Sequence, residues 1–190
     1  MTNLLAYIRS LAPFSDQSWE MLSAHVTQQE FGKRAYLLKP GKVCNSLFFI
    51  SKGYCKTSYD QDGQDINTGF YFECDIVTDI NSFHKNEPAT LSIQACEALT
   101  VIRFDKPALA VINRLSPESE AVGKKLMQLV ATKQEEQIRF FRLLTVQKRY
   151  EYLEENMPGL LQRVSLTQLS SYLGVSRETL SRMRNKRGRS

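Results

Sequence analysis

Between Ser165 and Asn185 the chain leaves little choice of backbone register. Ser165-Leu-Thr-Gln168 sets a serine three residues ahead of a glutamine, a capping box that satisfies two unpaired amide donors and predicts a helix start. Leu166, Leu169, Tyr172 and Leu173 follow at spacings of three and four, which gives one apolar stripe. Gly174 stands where a left-handed residue ends a helix. Val175 can then pin the turn inward, and Ser176 can cap a second helix starting at Arg177. On that helix Leu180 and Met183 are expected to face in, leaving Arg177, Glu178, Ser181, Arg182 and Asn185 to face out. Such a helix, tight turn and polar second helix is the arrangement of a helix-turn-helix, whose second helix lies in the DNA major groove.

Charge concentrates in the same place. The chain has a formal net charge of +5, and Ser176 to Ser190 alone carries +5, with Arg177, Arg182, Arg184, Lys186, Arg187 and Arg189 against Glu178. A polyanion suits this segment, although a solvated tail or one that touches membrane or RNA has the same charge. The residue types say more. Arg177 and Arg182 can each present a fork to guanine O6 and N7, and Glu178 can accept from the cytosine amino group. The other reading of Glu178 is a partner for the helix dipole and for Arg182 at i+4. Ser176, Thr179, Lys186 and Arg187 suit phosphate contacts, which position a protein without reading sequence.

Val164 to Arg184, VSLTQLSSYLGVSRETLSRMR, closely resembles the DNA-binding helix pair of the Crp/Fnr family of bacterial transcription regulators. The shared residues are the Leu-Gly-Val-Ser turn, then Arg177-Glu178-Thr179 and Arg182 in the family's SRET-x-x-R pattern. The resemblance implies that Arg177, Glu178 and Arg182 read base edges in a two-fold symmetric operator. It also implies double-stranded DNA and a second copy of the chain as partners, with RNA polymerase a further one if the protein activates. Many members continue into a small β wing; here the sequence stops at Ser190, and the basic tail would have to make the wing's phosphate contacts.

The rest of the chain is consistent with a regulator. At 190 residues and 42% hydrophobic composition it can form one medium and one small domain. No run of eighteen apolar residues and no signal-peptide pattern occurs, so a soluble, cytoplasmic chain without a membrane partner is expected. Cys44, Cys55, Cys74 and Cys96 are separated by eleven, nineteen and twenty-two residues. That spacing offers no zinc pattern, and no metal site is expected. Buried structural thiols are the expectation, with a redox pair as the alternative. His25 and His84 have no nucleophile pattern around them and no phosphate loop is present, so the chain is not expected to be an enzyme.

Short strands rich in β-branched and aromatic residues are expected at Ala35-Tyr-Leu-Leu, Leu47-Phe-Phe-Ile-Ser, Tyr54-Cys-Lys-Thr-Ser-Tyr and Leu91-Ser-Ile-Gln-Ala. Turns lie between them at Pro40-Gly41, Lys52-Gly53 and Asp60-Gln-Asp-Gly63. This spacing indicates a β-barrel or sandwich. Helices are predicted before it, at Leu4 to Leu11 and from Asp16 to Val26, the second capped by Ser15. The order helix, β-roll, helix and the segment LLKPGKVCNSLFFISKGYCKTSY resemble the cyclic-nucleotide-binding domain, with Gly41 and Gly53 at its turns.

From Ser116 the pattern is helical, with Pro117 at the first position. A stripe including Val122, Leu126, Leu129, Val130 and Phe140 runs on to Leu144. It predicts either a dimerisation helix, with Leu126, Leu129, Val130 and Phe140 in the seam, or a linker helix buried on its own barrel. Thr145 is expected to cap a further helix from Val146 to Asn156. The expected fold class is therefore α+β. An N-terminal β-roll with flanking helices spans 1–115, a long dimerisation or linker helix 116–144, and an all-α helix-turn-helix, its wing absent, 145–190.

The resemblance also raises a ligand question. The family's phosphate cassette has Gly-Glu-Leu and, ten residues on, an arginine followed by Ser or Thr. The matching positions here read Thr78-Asp79-Ile80 and Ala89-Thr90. Asp79, Ala89 and Thr90 thus form a degenerate pocket without the cation a buried phosphate needs, although His84 or Lys85 could bring charge from the same loop. Cyclic AMP is not the expected effector. The pocket is left to an unknown small molecule, or to filling by Phe70, Phe72 and Phe83. No cofactor is identified. The alternative function is a sensor or interaction module whose basic helix pair docks an acidic protein partner.

Overall fold

The computed structural model describes Met1 to Arg187, apart from the side chains of Thr2, Leu115, Lys186 and Arg187. It divides into two compact units, residues 1–57 with 70–130, and residues 58–69 with 131 onward. The division cuts within the long helix, and it assigns a hairpin tip to the C-terminal unit.

The first unit begins with α1 (Thr2–Leu11) and α2 (Asp16–Ser23). Eight strands follow: β1 (Thr27–Phe31), β2 (Tyr36–Leu38), β3 (Ser46–Lys52), β4 (Cys55–Gln61), β5 (Gln64–Tyr71), β6 (Ile76–Val77), β7 (Ser92–Ala95) and β8 (Leu99–Asp105). α3 (Ile80–Lys85) lies between β6 and β7, and α4 (Lys106–Leu115) follows β8. The strands form two sheets of four, in the orders β1-β8-β3-β6 and β2-β7-β4-β5.

The side-chain period of two explains why the central strands read as unbroken apolar runs. Phe48 and Ile50 of β3, with Leu99 and Val101 of β8, join Leu38, Cys55, Val77 and Ile93 in one core. Phe49 of β3 and Ile102 and Phe104 of β8 face the other way, into a second core with Leu4, Ile8, Leu22, Ile112 and Val122. Each such side chain, fully buried, contributes about 1.5–3 kcal/mol. Gly53 turns β3 into β4 at φ +85°, where an added Cβ would stand 2.4 Å from the Ala98 carbonyl oxygen, so only glycine fits. Asp62 and Gly63, both at positive φ, close the β4–β5 hairpin with the two-residue turn their sequence signals.

Several elements differ from the sequence expectation. α2 stops at Ser23, short of Val26, because Thr27 to Phe31 pair with Arg103 to Leu99 as β1. That strand, Thr-Gln-Gln-Glu-Phe, has too few apolar residues to show alternation. α3 forms where a loop was expected, and α4 where no element was expected. Three cysteines are buried as expected, but Cys74 is exposed. It sits at φ +68° in a tight turn where the Asp75 amide donates to the Phe72 carbonyl.

The long helix α5 (Pro117–Leu143) begins in the first unit. Glu118 accepts from the amide and the hydroxyl of Ser15, both at 2.8 Å, so the start of α5 is tied to the N-cap of α2. Of the four residues expected in its seam, Leu129 is 41% exposed and Val130 half-buried, while Leu126 and Phe140 turn inward. Val122 and Leu126 pack into the second core, and Phe140 is buried in the C-terminal unit against Phe141, Tyr152 and Tyr172. Rotated by one residue, about 100°, Met127 and Ile138 are 43% and 57% exposed, with half-buried Val130 between them.

The second unit continues with α6 (Val146–Asn156), α7 (Pro158–Arg163), α8 (Leu166–Leu173) and α9 (Arg177–Arg187). Thr145 caps α6 by accepting from the Lys148 amide. Pro158 opens α7, since a first-turn proline gives up no helical hydrogen bond. Leu153, Leu160, Leu169, Leu173 and Leu180 are buried. Arg149 on α6 donates from Nε to the Phe140 carbonyl at 3.2 Å and from Nη1 to the Leu173 carbonyl at 3.3 Å. It also donates from Nη2 to the Phe141 carbonyl.

Candidate nucleic-acid interface

The turn between α8 and α9 is built as the sequence indicates. Ser165 Oγ accepts from the Gln168 amide, and the Gln168 side chain accepts in return from the Ser165 amide, completing the capping box. Gly174 adopts φ +72°. Its amide donates to the Ser171 carbonyl at 3.2 Å and that of Val175 to the Ser170 carbonyl at 3.0 Å, which closes α8. Ser176 Oγ then accepts from the Thr179 amide at 3.1 Å and caps α9. Substituting such a cap by alanine costs about 0.5–2 kcal/mol.

α9 divides into two faces. Leu180 has no exposed surface and Met183 is half-buried, whereas Arg177, Glu178, Arg182 and Asn185 are exposed. Ser176 is exposed, and Thr179 and Ser181 are half-buried. Arg182 directs Nε to the Glu178 carbonyl at 3.4 Å rather than to its carboxylate. Arg184 reaches the Leu161 carbonyl at 3.4 Å and serves its own fold. Lys186 and Arg187 lie on the last turn, with side chains outside the described ones, and Arg189 lies outside the described residues.

Glu178 is held below the ordinary carboxylate value. Hydrogen bonding to its own amide is the main cause, followed by the Ser176 hydroxyl. Partial desolvation opposes the shift, and the charges of Arg177 and Arg182 add to it. The first two turns of α9 therefore present an ionised acceptor beside two planar cationic donors at neutral pH, a set that can address guanine and cytosine edges.

The hairpin tip backs this motif. The Asn67 amide donates to Ser171 Oγ at 3.0 Å, Asn67 Nδ2 donates to the Gln168 carbonyl at 3.0 Å, and Ser171 Oγ donates to the Asp65 carbonyl at 2.9 Å. Gln137 Nε2 donates to the Thr68 carbonyl. Sequence reasoning missed these residues. The only available signal was a strand-poor asparagine within a strand, and nothing in the sequence names its partner.

The cassette positions of the first unit are occupied differently. Asp79 is buried and caps α3 by accepting from the Ser82 amide at 3.0 Å. Ser82 Oγ in turn accepts from the Cys44 amide at 2.8 Å. Ala89 lies in the first core, with its amide on the Lys42 carbonyl and its carbonyl on the Gly41 amide. Thr90, His84 and Lys85 are exposed. Of the three aromatics, Phe70 is buried, Phe72 stacks on Tyr54 at 5.1 Å, and Phe83 carries Lys106 over its ring. A cleft of about 420 Å³ opens elsewhere in the unit, lined by Phe31, Tyr36, Lys42, Cys44, Ser46 and Arg103 among others. The groups present at 79 and 89 do not suit a cyclic phosphate: the carboxylate is committed to a helix cap, and the alanine methyl sits in apolar core.

Among the described residues no group of three His, Cys, Asp or Glu side chains could hold a metal ion, and no helix is long and apolar enough to cross a membrane. His25 is exposed, and its Nδ1 lies 2.8 Å from the Met21 carbonyl.

Residues 28–112 match the family of the cyclic nucleotide-binding domain. Similar solved structures include the c-di-GMP responsive global regulator CLP of Xanthomonas campestris, at 16% identity and TM-score 0.72 over 90% of this chain and 91% of that one. The catabolite activator protein of Thermus thermophilus is similar at 15% identity and TM-score 0.59, over 93% of this chain and 84% of that one. FixK2 from Bradyrhizobium japonicum is similar at 15% and 0.66, over 85% and 83%. No curated protein matches. At these identities the likeness establishes the fold, a β-sheet domain of the cyclic nucleotide-binding type followed by C-terminal helices.

Proposed function

We propose that this chain is a Crp/Fnr-type transcription regulator that binds a two-fold symmetric DNA operator as a homodimer. The observation that carries the reading is the outer face of α9, where Arg177, Glu178 and Arg182 are exposed at the start of the second helix of a capped pair. Arg177 and Arg182 read guanine and Glu178 reads cytosine, while Ser176, Thr179, Lys186 and Arg187 hold phosphates. Similar structures that include a global regulator and a catabolite activator support a regulatory role.

The dimer forms through α5. Met127, Val130 and Ile138 follow one helical stripe, and the exposure of Met127 and Ile138 leaves them free to meet a second copy. Cyclic AMP is not the effector, because Ala89 supplies no cation and Asp79 is used as a cap. The protein is neither an enzyme nor a membrane protein and works in the cytoplasm, with RNA polymerase as a partner if it activates.

The test is selection of bound duplexes from a random pool at physiological salt, with and without cyclic AMP. A two-fold symmetric consensus obtained without nucleotide is expected. A consensus that needs cyclic AMP would overturn the effector reading, and none in either condition would overturn the DNA reading. Low-salt binding alone decides nothing, because a basic segment binds any duplex there.

A further inference from the structure

Arg149 contacts the ends of two helices from a third. Phe140 and Phe141 are among the last four residues of α5, and Leu173 is the last of α8. Carbonyls at these positions lack partners within their own helices and carry the negative end of the helix dipole. One guanidinium on α6 meets all three, and its Cζ lies 5.2 Å from the centre of the Phe141 ring. A planar fork can divide its donors among three acceptors in this way, whereas a lysine ammonium is a point charge on a flexible stem.

The location gives the contact its consequence. Only Leu144 and Thr145 separate α5 from α6, so the angle of that joint depends on what spans it. Leu173 directly precedes Gly174, the residue that turns the chain toward α9. Arg149 therefore ties the end of α5 to the turn that launches the recognition helix, and it does so without belonging to the DNA-facing surface.

We infer that Arg149 is a positioning residue that sets the spacing of the two DNA half-sites. The inference rests on the dimeric DNA-binding reading above. If two copies pair along α5, the distance between their α9 helices is fixed by how each α9 is held to its own α5. That distance must match the helical repeat of DNA.

The experiment uses the full chain and duplexes carrying the wild-type consensus half-sites with their separation changed by one or two base pairs either way. Wild type is expected to prefer one separation by about tenfold or more over its neighbours, the scale of a single lost base contact. Arg149→Lys should flatten this preference to roughly threefold or less while keeping the base preferences within each half-site. A merely structural arginine would weaken every separation by the same factor and leave the profile unchanged, and that result overturns the inference. Arg149→Gln, which keeps a donor but not the fork, is measured beside it, with thermal melting of both. Loss of folding in both variants makes Arg149 an ordinary structural residue and also overturns the assignment. Failure of wild type to select any symmetric consensus is a different result: it removes the DNA reading itself and this inference with it.

Discussion

The two cassette positions of the N-terminal unit and the outer face of α9 carry residues of the same chemical interest with opposite fates. Asp79 is buried, and its carboxylate is used on the Ser82 amide. Ala89 is packed among core residues with both backbone groups bonded. On α9, Arg177, Glu178 and Arg182 are exposed; Arg182 bonds the Glu178 carbonyl, and Glu178 its own amide and the Ser176 hydroxyl, all at the start of the same helix. A polar side chain that the fold leaves unused is a better guide to binding than one whose bonding is complete inside its own domain. The unit of cyclic nucleotide-binding type uses positions 79 and 89 for its own structure, while the outer face of α9 leaves its charged side chains exposed.

The sharpest way to break this contrast is to exchange the faces of α9. Leu180→Ala removes a side chain with no exposed surface and is expected to cost about 2–5 kcal/mol of stability, measured by denaturant unfolding. Loss of DNA binding at unchanged stability would show that the inner face also takes part in recognition. Arg177→Ala and Arg182→Ala should each leave stability within about 0.5 kcal/mol of wild type. Each should lose roughly 1–3 kcal/mol of discrimination at one base position, read by binding to a panel of single-base operator variants. Lys186→Ala should weaken binding to all sequences alike. Equal losses on specific and random duplexes for all three would remove the assignment of roles.

Legibility in the sequence follows the same divide. The α8–α9 turn was readable to the residue because its determinants are local: Ser165, Gln168, Gly174 and Ser176 act within one turn of where they stand. Strands β3 and β4 and the Asp62-Gly63 hairpin were readable for the same reason. β1 was not, since Thr-Gln-Gln-Glu-Phe becomes a strand only by pairing with β8, some seventy residues away. On α5 the sequence could not separate Leu126 and Phe140, which pack inward, from Leu129, which is exposed, and the outward Met127 and Ile138 are visible only once Leu126 and Phe140 have been placed. The links from Asn67 to α8 and from Arg149 to two helix ends join side chains to distant backbone carbonyls, and no spacing in the sequence encodes them.

A smaller effect tests the N-terminal side of the contrast. Asp79→Ala should destabilise the fold by about 1 kcal/mol through loss of the α3 cap. Melting temperatures of wild type and variant should both be indifferent to added cyclic AMP. If wild type were stabilised by the nucleotide and the variant not, Asp79 would be a ligand group as well as a cap, and the contrast between the two regions would fail.

The smallest expected effect lies at the start of α5. Glu118 is held below the ordinary carboxylate value, first by the Ser15 amide and then by the hydroxyls of Ser18 and Ser15, with desolvation opposing. A carboxylate whose pKa is lower in the folded than in the unfolded state stabilises the fold above its unfolded value and loses that contribution as pH falls through the folded one. Glu118→Gln should therefore lower the melting temperature slightly at neutral pH, on the order of one or two degrees, and the gap to wild type should close in acid. Because the carboxylate is solvent-accessible, the gap should also narrow with salt. A gap that stayed constant down to strong acid would mean that the Ser15 contacts depend on the shape of the side chain rather than its charge. The tie between α2 and α5 would then be one of packing, like the apolar core beneath it.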